Sequence, residues 1–232
     1  NLSIGQPHFD VPDSVKEVAI EAIREGKNSY TLTAGIPPLR ERLLEDYRKR
    51  GIDAEDAIVT SGVSGGILLS FLALLNDGDE VIIPDPYFVM YKHLANFVGA
   101  KPVYVDTYPD FQLDPEKIER AVTPRTKLII VNSPNNPTGA VYSEDVLRGV
   151  SRVAEKNNLY ILTDEIYDSF LYDTKPISIA EWYPNTILLS GFSKSMALTG
   201  WRVGYALGPK SIIGAFMNIQ MYSFVCAPSF AQ

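Results

Sequence analysis

Short apolar runs alternate with longer amphipathic segments along most of the chain, and Gly, Pro, Asn or Asp residues separate them. Short runs rich in β-branched residues are typical of buried parallel strands, and the longer amphipathic segments are typical of helices. Their alternation predicts βαβ units and therefore an α/β fold. The runs that suit buried parallel strands are 57–60, 80–83, 101–105, 128–132, 160–163, 186–190 and 203–207. The helices predicted between them are 65–75, 88–97, 115–121, 143–157 and 210–223.

Residues 1–56 follow a different pattern. Segments 11–25 and 37–50 have helical periodicity, and the Gly/Thr-rich loop GKNSYTLTAGIP lies between them without a neighbouring strand. We therefore predict that 1–56 is an arm with helices, which packs on the domain or on a second chain, and that 57–232 is the α/β domain. The sequence stops after a helical run with no closing strand, so we expect part of the natural protein to lie outside it.

Composition is that of a folded globular protein. Of the 232 residues, 46% are hydrophobic and 21% are charged, which excludes disordered, collagen-like and coiled-coil proteins. The formal charge of −7 gives no general attraction to phosphate backbones, so we expect no nucleic-acid partner. The longest apolar stretch, 67–75, is far shorter than the roughly 20 residues of a membrane-spanning helix, so we expect no membrane segment. The opening NLSIGQPHFD lacks the features of a secretion signal and Cys226 is the only cysteine, which favours the cytoplasm.

Candidate chemistry is concentrated where the predicted strands end, which is where open α/β sheets bind ligands. The segment SGVSGG after 57–60 joins a strand to a helix, so the backbone N–H groups of Val63 and Ser64 can bind an anion. The same segment is also compatible with an ordinary Gly-rich turn between a strand and a helix. Lys194 follows the strand 186–190 and suits a Schiff base with a carbonyl, and Arg202 offers a planar fork to phosphate oxygens. The alternatives are that Lys194 is an ordinary solvated charge and that Arg202 forms a surface ion pair.

Three further strand ends carry polar or aromatic groups. Asp164 closes an apolar strand, so its carboxylate needs a cation or a donor, whereas Glu165 alternates away from it. Tyr167 can donate into the same site or belong to the core. The segment NSPNNPTG is explained by a tight turn without any function. Alternatively, a cis X-Pro bond in this segment points the Asn136 side chain inward as a donor. Phe88 can stack on a flat ring or pack in the core.

The chain has few of the residues that other catalytic mechanisms need. His8 and His93 are the only histidines, which with a single cysteine leaves almost nothing for zinc sites or for Cys-His and Ser-His-Asp catalysis. The chain also lacks the glycine patterns of dinucleotide and nucleoside triphosphate loops.

Taken in order, SPNNPTG, DEIY and SGFSKSMALTGWRVGY resemble the class I/II (fold type I) pyridoxal-phosphate-dependent aminotransferases, nearest to the aspartate and aromatic branch. The opening SIGQPHF and the arm NSYTLTAGIPPLR are similar to the same family. The resemblance implies the large domain of that fold, a mostly parallel mixed sheet flanked by helices, with an N-terminal arm. It also implies a small C-terminal domain that is missing from these residues.

The resemblance assigns roles around the cofactor ring. Lys194 would hold pyridoxal 5′-phosphate as a Schiff base and move the substrate α-proton. Asp164 would pair with the ring nitrogen, while Asn136 and Tyr167 would donate to the ring oxygen. Phe88 would stack on the ring.

It also assigns roles around the phosphate and the substrate. The residues implied to contact the phosphate are Val63, Ser64, Ser193 and Arg202. Tyr30 would reach the phosphate of a partner subunit, which implies a homodimer with a composite site. Gly5, through its backbone, and Asn136 would lie near the substrate carboxylate.

Two departures from the family pattern are visible. Many members have serine three residues before the lysine, where this chain has Gly191, so we expect that hydroxyl to be missing or replaced by Ser190 or Ser193. The arginine that grips the substrate α-carboxylate has no counterpart in these residues.

The sequence therefore predicts an aminotransferase that acts on an amino acid and a 2-oxo acid. The alternatives are a pyridoxal-phosphate-dependent carbon–sulfur β-lyase or other amino-acid lyase, which needs the same lysine and aspartate, and a non-enzymatic regulator domain that binds the cofactor.

Overall fold

The computed structural model describes residues 4–232, so Ser3 of the SIGQPHF segment lies outside the described residues. Seven strands form one sheet: β1 (Asp56–Ser61), β2 (Glu80–Asp85), β3 (Lys101–Asp106), β4 (Thr126–Asn132), β5 (Tyr160–Asp164), β6 (Thr186–Gly191) and β7 (Val203–Gly208). Their order across the sheet is β1-β7-β6-β5-β4-β2-β3. All seven strands predicted from the sequence are present, and the predicted α/β class with a mostly parallel mixed sheet is confirmed.

The direction of β7 corrects one expectation. The strand runs antiparallel to both of its neighbours, β1 and β6, whereas the other pairs in the sheet are parallel. The prediction that 203–207 is a parallel strand is therefore wrong. The connection from β6 to β7 contains a single 3₁₀ turn, Thr199–Trp201, and lacks the crossover helix that a parallel return needs. Because β7 begins where β6 ends, this connection stays at the carboxyl end of β6.

The described residues form seven α-helices: α1 (Asp13–Arg24), α2 (Pro37–Lys49), α3 (Gly62–Leu74), α4 (Met90–Phe97), α5 (Pro115–Ala121), α6 (Glu144–Asn157) and α7 (Lys210–Met221). Caps fix several starts: the Asp114 side chain accepts the N–H of Glu116 before α5, and Ser143 accepts that of Val146 at α6. Helix α3 begins three residues before its predicted start, so Val63 and Ser64 lie in its first turn. None of the helices within 4–232 is long and apolar enough to cross a membrane.

The core occupies both faces of the sheet. Helices α3, α4 and α7 cover one face, and α5 and α6 cover the other. Helix α2 covers the second face near β1, β7 and β6, where Leu43 and Tyr47 pack against Leu188 and Leu207. The carboxyl ends of β1, β2, β4, β5 and β6 are thus held on a rigid, doubly covered sheet, and the loops that follow them form the site.

Candidate active site

A cavity of about 690 Å³ opens at the carboxyl ends of the strands. Ten of the residues singled out in the sequence line it: Gly5, Val63, Ser64, Phe88, Asn136, Asp164, Tyr167, Ser193, Lys194 and Arg202. Tyr30 does not line this cavity. Its side chain is 82% exposed and lies beside Phe224 in a separate depression.

Lys194 projects into the cavity from the connection between β6 and β7. Its Nζ donates a hydrogen bond to the carbonyl oxygen of Gly5 and lies 6.0 Å from the centre of the Tyr167 ring. Burial and, after it, the positive charge of Arg202 lower the pKa of Lys194, although Asp164 opposes them. A lowered pKa increases the fraction of neutral amine, the form that attacks carbonyl carbon.

Asp164 ends β5 as a buried carboxylate that faces the cavity. Its Oδ2 accepts a hydrogen bond of 2.8 Å from the Tyr91 hydroxyl, and its Oδ1 accepts one of 3.3 Å from the N–H of Ile166. Burial raises its pKa to about 6, although both hydrogen bonds and Lys194 oppose the change. A cationic ring nitrogen in the cavity would therefore stabilise the ionised carboxylate.

Asn136 and Tyr167 form a polar pair on one wall of the cavity. The Asn136 amide donates to the Tyr167 hydroxyl oxygen at 3.5 Å, which leaves the phenolic proton free to donate into the cavity. Burial, together with the charge of Asp164, raises the pKa of Tyr167, so the phenol stays protonated. Both X-Pro bonds of the NSPNNPTG segment are cis.

The start of α3 and the Arg202 guanidinium form a cradle for an anion. The side chain of Ser61, the N-cap residue, makes no capping hydrogen bond to the first turn of α3, which contains the N–H groups of Val63 and Ser64. The Arg202 guanidinium lies against this turn, where it donates to the carbonyl oxygens of Thr199 at 2.9 Å and Ser61 at 3.4 Å. A Cβ on Gly62 would lie 2.5 Å from Arg202 Nη2, so only glycine leaves room for the guanidinium. A helix start beside a guanidinium is suited to phosphate.

The structure leaves little room for a side chain at Gly191. A Cβ on Gly191 would lie 2.9 Å from the Cα of Gly204, because β7 passes very close at this point. Of the two hydroxyls considered as replacements, Ser190 is buried and donates to the carbonyl oxygen of Glu165 at 3.4 Å, away from the cavity. Ser193 lines the cavity.

Two residues whose side chains hydrogen-bond to the predicted site residues were missed from the sequence. Tyr91 is fully buried in α4 and donates to Asp164, and Asn132 bonds to both Asp164 and Asn136. The only sequence signal for Tyr91 is its position three residues after Phe88, which places the two on one side of the predicted helix 88–97, although the helix in the structure begins only at Met90. The sequence did contain a signal for Asn132, because this polar residue ends the predicted strand 128–132 and begins the segment NSPNNPTG.

This set of groups fits pyridoxal phosphate. The cradle at α3 suits its phosphate and the Asp164 carboxylate suits its ring nitrogen. The amide and phenol of Asn136 and Tyr167 suit its ring oxygen, and the Lys194 amine suits its aldehyde.

Comparison with known proteins gives concordant results. The family model described as aminotransferase class I and II matches residues 1–232. The chain is 43% identical to the aspartate/prephenate aminotransferase of Thermus thermophilus and 40% identical to aromatic-amino-acid aminotransferase 2 of Thermococcus litoralis. Each alignment covers 100% of this chain and 62% of the relative. The solved structure of the aspartate aminotransferase from Thermus thermophilus with maleate superposes with a TM-score of 0.97 at 43% identity, over 100% of this chain and 62% of that one. The chain thus spans less than two thirds of the length of these proteins.

Proposed function

The chain belongs to the aminotransferase class I and II family, and on that basis we propose that the protein moves an amino group between an amino acid and a 2-oxo acid. The observation that carries the proposal is that three groups face one cavity: the Lys194 amine, the Asp164 carboxylate and the anion cradle at α3. Pyridoxal phosphate, when bound there, supplies an electron sink for the negative charge that develops at the substrate α-carbon.

Lys194 and Asp164 carry the chemical roles in this proposal. The neutral Nζ of Lys194 is the amine that would hold the cofactor through its aldehyde carbon, and the same group would take and return the substrate α-proton. Asp164 would keep a proton on the ring nitrogen through its negative charge. Tyr167 and Asn136 would donate to the ring oxygen, and the face of Phe88 would exclude water from the ring.

The cradle provides the binding energy that anchors the cofactor. In our proposal the N–H groups of Val63 and Ser64, the Ser193 hydroxyl and the Arg202 guanidinium bind the phosphate. The Gly5 backbone and the Asn136 amide lie near the substrate carboxylate. The Gly5 carbonyl already contacts Lys194 Nζ, which supports this position for residue 5.

A homodimer is part of the proposal. Tyr30 is exposed beside the depression lined by Phe224 and Cys226, away from the cavity of its own chain. In a dimer with a composite site, its hydroxyl would reach the phosphate bound by the partner subunit. We also propose the division into an arm, 1–56, and a cofactor domain, 57–232, and a cytoplasmic location.

Lys194→Ala tests the assignment of the amine. Borohydride should fix pyridoxal phosphate covalently to the wild-type protein and to a Lys92→Ala control, which changes an exposed lysine of α4. It should fix none to Lys194→Ala. Cofactor that is still fixed to Lys194→Ala would assign the linkage to another amine.

A product assay separates transfer from elimination. We expect loss of the amino donor to depend on an added 2-oxo acid, with no release of ammonia. The names of the relatives support transfer. Ammonia and pyruvate released from a cysteine conjugate without an acceptor would instead support the carbon–sulfur β-lyase.

A further inference from the structure

Asn132 occupies a central place behind the polar wall of the cavity. It is the last residue of β4 and is 3% exposed. Its Nδ2 donates to the carbonyl oxygen of Asp164 at 2.8 Å and to that of Pro134 at 3.2 Å. Its Oδ1 accepts the N–H of Asn136 at 2.8 Å. The amide of Asn132 is therefore bonded both to Asp164, which would face the ring nitrogen, and to Asn136, which would face the ring oxygen.

The position of Asn132 in the sheet explains why a side chain is needed. Strands β4 and β5 are paired in parallel, and Asn132 and Asp164 are partners in the last register position of this pair. Beyond that position the backbone ladder stops and the two chains diverge into separate loops. The side chain of Asn132 continues the link one step further, because its Nδ2 donates across to Asp164 at the end of β5 while its Oδ1 accepts from Asn136 in the loop that follows β4. Buried amide groups that lose such partners are unfavourable, so the geometry is well determined.

We propose that Asn132 is a positioning residue that sets the spacing between the Asp164 carboxylate and the Asn136 amide. Through that spacing it tunes the proton affinity of the bound cofactor. This inference rests on the proposed function, since it assumes that Asp164 and Asn136 hold opposite edges of one ring.

The expected effect follows from the charge on the ring oxygen. Donors to that oxygen stabilise the anionic form, which dominates once the bound cofactor has lost its proton. If the Asn136 loop is no longer fixed to β5, its amide donates less well. Loss of the proton then becomes harder, and the pH at which the visible absorbance of the bound cofactor changes moves upward.

Two substitutions test the proposal in the complete protein with bound pyridoxal phosphate. Asn132→Leu keeps the size of the side chain without its hydrogen bonds, and Asn132→Ala opens space that water from the cavity can fill. Asn135→Leu is the matched control. Asn135 is also buried, but its Oδ1 accepts from Thr138 within the same loop, and it does not line this cavity.

We expect the midpoint of the absorbance change to rise by about one pH unit in both Asn132 variants, which is a tenfold change in proton affinity. Asn135→Leu should leave the midpoint at the wild-type value while lowering the melting temperature. Cofactor affinity should change little in all three variants, because the phosphate cradle is untouched.

The outcomes that overturn the inference are distinct. If the midpoint of the absorbance change is unchanged in an Asn132 variant that folds, Asn132 has only a structural role. The same conclusion follows if Asn135→Leu moves the midpoint by an equal amount. A wild-type protein that takes up no pyridoxal phosphate would refute the proposed function, and this inference with it.

Discussion

Asp164 and Glu165 are neighbours in the chain, and both are buried, yet their carboxylates meet different surroundings. Asp164 faces the cavity. Glu165 faces the opposite side, where its Oε1 accepts hydrogen bonds from Ser178 and Thr163. Burial raises the pKa of Asp164 to about 6 and that of Glu165 to about 7. Only Asp164 lines the cavity that contains Lys194, although the two residues are equivalent in charge and burial.

Asp164→Asn should therefore slow amino transfer without loss of the covalently held cofactor. Asparagine has the same shape but no charge, so the ring nitrogen is no longer held protonated. A charge-assisted hydrogen bond contributes about 1.5–3 kcal/mol, which corresponds to roughly 10- to 100-fold in rate. Single-turnover transfer rates measure the effect, and Glu165→Gln is the control that should stay near wild type. An Asp164→Asn rate within about threefold of wild type would leave Asp164 a structural carboxylate.

At this scale the sequence predicted the residues that approach the cavity and missed those that support them. Lys194, Asp164 and Asn136 stand beyond strand ends, where the α/β fold requires a ligand site. Tyr91 and Asn132 act through contacts with Asp164, which is 73 and 32 positions away in the chain. No local pattern specifies which distant carboxylate a buried tyrosine will meet.

At the scale of elements, the junction of β1, α3 and β7 determines the phosphate cradle. Gly62 has a φ of +68°, and a Cβ on Gly204 would lie 2.5 Å from the backbone of Gly62. The antiparallel return of β7 brings Arg202 against the start of α3. The sequence predicted both strands and the helix, but hydrophobic periodicity is the same for either strand direction, so this close approach could not be foreseen.

Gly62→Ala should weaken cofactor binding. Its Cβ would displace the Arg202 guanidinium, so we expect the dissociation constant for pyridoxal phosphate to rise by about tenfold or more. Gly78→Ala is a matched control, since Gly78 has a similar φ of +81° and, apart from its own chain neighbours, no atom of residues 4–232 lies within 4 Å of the position that an added Cβ would take. Both variants should lose about 1 kcal/mol of stability from left-handed backbone strain. Titrations of the cofactor that give equal affinities for the two variants would argue against a phosphate role for Arg202.

At the scale of the whole molecule, a partly buried charge cluster connects the end of α2 to the residues that follow β5. Arg50, which follows α2, donates from Nη1 to Asp168 Oδ2 at 3.1 Å, and its Nη2 lies 3.8 Å from Glu165 Oε2. Its guanidinium also stacks over the Tyr47 ring at 4.6 Å. The end of α2 is therefore attached next to the strand end that carries Asp164.

This cluster gives the stability of the protein a pH dependence. Burial raises the pKa of Glu165 from 4.5 to about 7 in the folded protein. Between these two values the folded protein binds more protons than the unfolded chain, so the free energy of unfolding falls as the pH rises. The contribution is fully present below pH 4.5 and is lost once the pH passes about 7. The total corresponds to about 3 kcal/mol.

Glu165→Gln should flatten this part of the stability curve, because glutamine does not titrate. Asp164, whose pKa burial raises from 3.8 to about 6, still contributes, so the slope of the variant is reduced rather than abolished. Ser178→Ala should act in the opposite direction. The Ser178 hydroxyl lowers the pKa of Glu165, so its loss extends the falling part of the curve to higher pH. Urea unfolding of the cofactor-free protein at closely spaced pH values measures all three curves. A Glu165→Gln slope equal to that of wild type would mean that Arg50 and the two hydroxyls keep Glu165 ionised throughout, contrary to this prediction.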